Sequence, residues 1–378
     1  MSAPLRWLVL ATHVPPGGSL SGIVRYTTEL IRALGAREDV LLDAVTTTAA
    51  APFVESLLGG GRVHTVPSAA APLLSLWERY APLPQAGHDV VQGVKHLVPR
   101  RSPASALRVL TVHDMVLLDR PEDFGGLKSR LLPAPYRASL RQADLLLCVS
   151  AATAGRLAAH DPAAAARTAV VPLATAPALL QAEPVEVPVL RDRRFALVVG
   201  DSSPRKNLGA VVDAWSAVRA QAPDAVLAVA GPPSWGRSEQ GAAYDALRRD
   251  GSLVALGRIP DAELRWCYEH AAVVLCPSLA EGFGLPAAEA LDLGAAVIVS
   301  DDPALQEVAA GRQLATVPAG DHGSWARELV GVLCAPSAGG SPPPRVTAAA
   351  RTWADVAEGS VRAVRSARPA RRTAPDRT

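Results

Sequence analysis

The segment Glu281-Gly282-Phe283-Gly284-Leu285-Pro286-Ala287-Ala288-Glu289 sets two carboxylates eight positions apart, separated by a glycine-flanked loop and a helix start. Pro286 suits the first helical position, where its missing N–H forgoes no bond, and Ala287 to Leu293 continues as a helix. Glu281 then lies on the loop and Glu289 about one turn into the helix, both facing the same mouth. The amides of Phe283, Gly284 and Leu285 fall among the N-terminal donors that lack intrahelical partners, and such a helix start attracts phosphate. Carboxylates accept hydrogen bonds from sugar and ribose hydroxyls. Anion donors beside hydroxyl acceptors would seat a nucleotide-sugar. The same residues also spell a buried strand, a glycine turn and a core helix carrying two exposed acids, so the segment has to be weighed with others.

A second group is Arg205-Lys206-Asn207, which follows a strand ending in Gly200 and precedes a helix. Two cations fixed at a helix start would neutralise a diphosphate leaving group as its charge grows in the transition state. A solvated basic turn is the plainer reading. The pair stands out because the chain has three lysines (Lys95, Lys128 and Lys206) and a single asparagine, Asn207. Gly17, Gly18 and Gly22 make a side-chain-free loop after the first strand, which lets backbone approach phosphate or acceptor closely. It is not a G-x-G-x-x-G, which argues against a dinucleotide site, and an ordinary tight turn would look similar. His113 closes another strand with Asp114 as its orienting neighbour; it could touch a sugar or an acceptor, or help move a proton.

Positioning these groups falls to short apolar strands alternating with longer helical stretches. Trp7 to Ala11, Asp89 to Gln92, Arg108 to Val112 and Leu145 to Ser150 read as strands, Val170 and Val171 end that series, and Gly22 to Gly35 and Pro133 to Gln142 read as helices. Phe195 to Gly200, Val226 to Gly231, Leu253 to Leu256, Val273 to Cys276 and Ala296 to Ser300 form a second series. Repeated βα units imply parallel sheets covered by helices. The expected class is therefore α/β: two Rossmann-like domains, residues 1–176 and 192–340, joined by a proline-rich linker over 177–191, with ligands at the carboxyl ends of the strands. A final helix over 345–367 carries Trp353, and 368–378 reads as a disordered basic tail.

At 378 residues the chain is long enough for two domains, and 49% hydrophobic residues can fill their cores. A net charge of +2 and 4% aromatic residues give no case for nucleic acid. The four cysteines make no C-x-x-C pair and show no zinc spacing. Cys148 and Cys276 read as core thiols, which suits a reducing cytoplasm. The run Trp7 to Ala11 reads as a first strand rather than a signal peptide, and no run reaches the roughly 18 apolar residues of a membrane span. No D-x-D occurs, so no metal is expected on a diphosphate.

Five motifs in order resemble the retaining glycosyltransferases of family 4, which have the two-domain GT-B fold. They are Ser21-Gly22-Ile23-Val24-Arg25-Tyr26 behind Gly17-Gly18; Val112-His113-Asp114; Val199 to Asn207; Leu256-Gly257-Arg258-Ile259-Pro260-Asp261; and Pro277-Ser278 running into Glu281 to Glu289, with Ser300-Asp301 following. The resemblance spans roughly residues 5 to 367. It implies that two domains face each other across a cleft, the first shaping the acceptor site and the second holding the donor, and that the final helix crosses back to the first domain. Lys206 matches the family's phosphate-binding lysine, Glu281 the glutamate near the donor sugar and Glu289 the one that binds the ribose hydroxyls. Arg205 assists Lys206, Gly282, Phe283, Gly284 and Leu285 hold sugar or phosphate oxygens, and Arg258 and Ile259 lie near the nucleobase. Many members carry an arginine directly after the glycine where this chain has Asp201, and Asp301-Asp302 reads as a turn or cap.

The implied activity is metal-independent transfer of a hexose, mannose first, from GDP-mannose or a UDP-sugar to a hydroxyl acceptor, without a further cofactor. A nucleotide-sugar epimerase and an inactive nucleotide-sugar-binding protein are the alternatives. Lys128, Arg130, Arg137 and Arg141 surround apolar residues, so weak membrane contact at the inner face is a further expectation beside a plain solvated helix.

Overall fold

The computed structural model describes residues 3–18, 21–69, 71–82, 84, 87–124, 126–232, 241–335 and 350–372. The chain forms two compact units. The first comprises 1–118, 127–174 and 351–378, and the second 119–126 and 175–350.

The first unit is built on a seven-stranded sheet. Its strands are β1 (Leu5–Leu10), β2 (Val40–Thr47), β3 (Val63–Val66), β4 (Val90–Gly93), β5 (Leu107–Val112), β6 (Leu145–Cys148) and β7 (Thr168–Val170). They lie in the order β3-β2-β1-β4-β5-β6-β7, and every pairing is parallel. The order reverses between β1 and β4, and the crevice at that reversal is where open α/β sheets take their ligands.

The second unit carries β8 (Phe195–Val199), β9 (Val226–Ala230), β10 (Leu253–Gly257), β11 (Val273–Cys276), β12 (Val297–Ser300) and β13 (Ala315–Val317). Their order is β10-β9-β8-β11-β12-β13, again all parallel. Alternate residues serve opposite cores, as strand periodicity requires. Phe195, Leu197, Val274 and Val297 join Trp266 and Tyr268 on one face. Ala196, Val198, Leu275 and Ile298 join Trp215 and Trp325 on the other. A sheet buried on both faces reads as continuous apolar sequence, which is why these strands stand out.

Three expectations need correction. The proline-rich stretch after Ala176 is part of the second unit rather than a bare linker. Pro177 opens the helix Pro177–Gln181 and Pro188 a short 3-10 turn. Leu179 and Leu190 are fully buried in the second unit's core. Proline at the first turn starts a helix as readily as it ends one. The basic tail is helical through Arg372, because the last helix runs Trp353–Arg372. Its arginines face carboxylates of the first unit, with Arg365 2.8 Å from Asp39 and Arg368 2.7 Å from Asp89. The helix begins at Trp353, and residues 345–349 of its expected range lie outside the described residues, as do 373–378.

Gly231 is the tightest backbone crossing near the site. Its φ is +155°, and a Cβ there would stand 1.9 Å from the Gly200 carbonyl oxygen. Gly231→Ala is therefore expected to destabilise the second unit by more than about 2 kcal/mol, seen as a lowered Tm in differential scanning calorimetry. An unchanged Tm would show that the crossing has slack.

Candidate active site

Pro204–Lys206 folds as one 3-10 turn after β8, and Asn207 takes the left-handed conformation (φ 54°, ψ 36°) before the helix Leu208–Gln221. Asparagine tolerates that region better than most residues. Its side-chain amide donates to the carbonyls of Pro277 (3.0 Å) and Ala319 (2.8 Å), stitching this turn to the loops after β11 and β13. The Arg205 carbonyl accepts from the Leu279 amide at 2.7 Å. Three strand ends are thus tied together before any ligand arrives.

On this frame Lys206 Nζ stands 2.6 Å from Glu281 Oε1, and an Arg205 guanidinium nitrogen 3.4 Å from Oε2. The Ser278 hydroxyl also donates to Oε1, at 2.7 Å. Burial by itself would raise the Glu281 carboxyl, but the charges of Lys206 and Arg205, with the bonds from Lys206 and Ser278, hold it at about 2. Asp302 supports the loop from behind: Oδ2 accepts the Glu281 amide at 3.3 Å, while Oδ1 caps the helix Pro303–Ala309. Asp301 accepts the Ala319 amide at 3.0 Å. The expected turn-and-cap role of Asp301-Asp302 is what the structure has. Asp201 folds onto the Ser203 amide at 3.0 Å.

Gly284 precedes the next helix with φ 94°, and a Cβ there would lie 2.6 Å from Leu305 Cδ2. The helix runs Leu285–Asp292, so Pro286 is its second residue rather than its first. No side chain caps its N-terminus. A cavity of about 10 Å³ lies among Asp201, Lys206, Cys276, Ser278, Glu281 and Gly284. That is room for about one water.

Glu289 does not line that cavity. It is 4% exposed, and its Oε2 accepts the Tyr268 hydroxyl at 2.8 Å. Of the two carboxylates expected at one mouth, Glu281 lines the cavity and Glu289 does not, while the charges of both act on Cys276. Burial chiefly, then both of their charges, push the Cys276 thiol up to about 12 against the opposing pull of Lys206. Gly282 is buried, Phe283 and Leu285 are half-buried, Arg258 is exposed, and Ile259 packs on the core.

His113, Gly18 and Gly22 belong to the first unit. His113 Nε2 lies 2.9 Å from the Val94 carbonyl, which can only accept, so Nε2 carries the hydrogen and Nδ1 the lone pair. Burial lowers the His113 pKa from 6.5 against the opposing Val94 bond and Asp114 charge. Asp114 is not the ring's hydrogen-bonded orienter: its carboxylate accepts the Val116 amide at 3.1 Å. Val94 and the Tyr26 ring, edge-on at 4.6 Å, hold the imidazole instead. Gly17 and Gly18 take positive φ (76° and 74°), with Gly18 against the Phe53 ring, whereas Gly22 is the first residue of the helix capped by Ser21.

Sequence reasoning missed Tyr268, for which no spacing signal exists. It also missed the polar set beside His113: buried Glu78, bonded to Thr12 at 2.6 Å, together with His13 and Lys95. His13 and Lys95 follow β1 and β4, the strands on either side of the reversal of sheet order, and that rule could have found them; His113 follows β5, next to β4.

The description "Glycosyl transferases group 1" matches residues 193–334, and "Glycosyltransferase Family 4" matches 20–179. The chain belongs to the family 4 glycosyltransferases. The O-antigen chain mannosyltransferase B of Escherichia coli is 26% identical over 326 residues, 80% of this chain and 84% of its own. The crystal structure of WaaG, described as a glycosyltransferase involved in lipopolysaccharide biosynthesis, superposes with a TM-score of 0.64 at 14% identity, covering 98% of this chain and 96% of that one. Anabaena HepE in complex with UDP and glucose superposes at 0.57 and 16% identity, covering 97% and 98%. This glycosyltransferase thus has the GT-B fold. Among its described residues no group of three or more His, Cys, Asp or Glu could hold a metal ion, and no helix is long and apolar enough to cross a membrane.

The Glu281 charge has a pH signature. Its folded pKa, about 2, lies below the ordinary 4.5, so its stabilising contribution is complete above 4.5 and fades as pH falls toward 2. Glu281→Gln should be less stable than the parent by about 3 kcal/mol near neutral pH. Urea unfolding should find that gap narrowing steadily below 4.5; a constant gap would contradict the pairing.

Proposed function

We propose that this enzyme is a retaining mannosyltransferase that takes mannose from GDP-mannose and adds it to a hydroxyl of a growing glycan, without a metal ion. One observation carries the reading: Lys206 and Arg205 converge on a single carboxylate beside an uncapped helix N-terminus. An arriving diphosphate would replace Glu281 as the partner of these cations, and the free amides of the helix start would add fixed donors. The bond between the sugar's anomeric carbon and the phosphate oxygen breaks with its electron pair on the phosphate. The acceptor oxygen bonds from the same face, and its proton passes to the departing phosphate. Stabilisation by Lys206 and Arg205 grows as that negative charge develops, which is what lowers the barrier.

Glu281, once released, accepts from the sugar's hydroxyls. Glu289 exchanges the Tyr268 hydroxyl for those of the ribose. Neutral His113 offers Nδ1 to a sugar or acceptor hydroxyl. The O-antigen mannosyltransferase among the relatives supports mannose and a glycan acceptor. The UDP and glucose in the HepE complex keep a UDP-sugar as second choice.

The test is a panel of UDP-, GDP-, dTDP- and ADP-sugars incubated with purified enzyme and chelator, followed by mass spectrometry. Slow release of mannose and GDP, reduced at least ~100-fold in Lys206→Ala, is expected. An isomerised donor would mean an epimerase, and absence of nucleotide binding by calorimetry would remove the donor site altogether.

We extend the proposal to weak membrane association through Arg130, Arg137 and Arg141, all exposed, together with Leu131, which is 43% exposed. The side chain of Lys128 lies outside the described residues. Co-sedimentation with anionic liposomes, lost at high salt, is expected; binding indifferent to lipid charge would rule out this electrostatic contact.

A further inference from the structure

The last helix opens on a rigid corner. Thr352 and Asp355 bond reciprocally, the Asp355 carboxylate accepting the Thr352 amide at 2.8 Å and the Thr352 hydroxyl accepting the Asp355 amide at 3.2 Å. Such a capping arrangement fixes the first helical turn, and Trp353 is its first residue. The chain re-enters the first unit at Arg351, so Trp353 is the first buried side chain after that re-entry.

Trp353 is 4% exposed, and its indole nitrogen is buried with no hydrogen-bond partner. A buried donor left unpaired is a cost that calls for a reason. What the ring touches supplies one. It stands against Tyr26 with centroids 5.8 Å apart at 63°, and Tyr26 stands edge-on to His113 at 4.6 Å and 87°. Tyr26 is pinned at its far end as well. Its hydroxyl lies 3.1 Å from Thr111 Oγ1, which accepts from Gln92 at 3.0 Å, and Gln92 accepts the Trp7 indole N–H at 2.9 Å. The Tyr26 ring is therefore held by hydrogen bonds at one end and by Trp353 along its side. The T-shaped contact with Tyr26 and the Nε2 bond to Val94 together hold the imidazole.

We propose that Trp353 is a positioning residue: through Tyr26 it fixes the plane of the His113 ring and so the direction of the Nδ1 lone pair. The inference rests on the role given to His113 above. Truncating Trp353 opens space beside Tyr26, lets the phenol tilt, and frees the imidazole to rotate about its bond to Val94. The donor site, in the other unit, keeps its own frame.

The experiment uses the full chain with ¹³C-labelled histidine. The His113 ring signal, assigned with His113→Gln, is followed through a pH titration in the parent, Trp353→Leu and Trp353→Phe, alongside steady-state kinetics and calorimetric nucleotide affinity. In Trp353→Leu the His113 signal should move out of the Tyr26 ring current and titrate closer to 6.5. Its kcat should fall about tenfold with nucleotide affinity unchanged. Trp353→Phe keeps a ring against Tyr26 and should restore both. Should Trp353→Leu fail to fold, Tyr26→Phe releases the hydroxyl end alone and is expected to broaden the same signal. A variant that melts earlier yet leaves the His113 signal in place would make Trp353 a mere anchor and overturn the proposal. Full turnover in His113→Gln would instead overturn the catalytic reading of His113, while the signal shift still decides whether Trp353 positions it.

Discussion

The ion pair between Lys206 and Glu281, 2.6 Å apart and largely shielded from water, is the constraint around which the second unit's loops are arranged. Taking both charges out of solvent is expensive, and either one alone would be more so. Each strand end around the pair accordingly supplies something to hold it in place. Ser278 completes the coordination of the carboxylate, Asp302 fixes its backbone, and Asn207 ties the lysine turn to two neighbouring loops. Under the proposed function the cations are not a ready-made hole: they already hold a carboxylate, which an incoming diphosphate would have to displace.

In the first unit, His113 is held by burial and packing rather than by a carboxylate partner. A backbone carbonyl sets the tautomer and an aromatic edge sets the plane. Neither contact changes charge with pH, so the hold on the ring does not itself titrate.

Much of this was legible in the sequence, for identifiable reasons. β8, β9, β11 and β12 are buried on both faces and appear as unbroken apolar runs. β2 was missed although it is interior, because Asp43 and the threonines that follow break its pattern; Asp43 turns out to serve the Arg62 amide and His88. β3 and β13 are edge strands of four and three residues, too short to announce themselves. Lys206 and Glu281 could be named because one is a rare residue in this chain and the other sits in a glycine-rich helix start. Their pairing could not be read, since seventy-five positions separate them and only the parallel order of β8 and β11 makes them neighbours. The same holds for Tyr268, which no motif marks and which reaches Glu289 within the core it shares with Val274 and Cys276. Asp114 misled for the opposite reason: adjacency in sequence suggested a partner for His113, whereas the short turn after β5 gives its carboxylate a nearer amide.

The first unit is discontinuous, and this bears on how the protein comes into being. Synthesis delivers β1 through β7 early, yet the helix that packs on β5, β6 and the helix Gly22–Gly35 and carries Trp353 is made only after the whole second unit. Until then that packing is missing, and the second unit, contiguous apart from a short segment, is free to fold first. The half of the enzyme that begins first on the ribosome is therefore the half that finishes last, and truncation near the carboxyl end injures residues more than three hundred positions upstream.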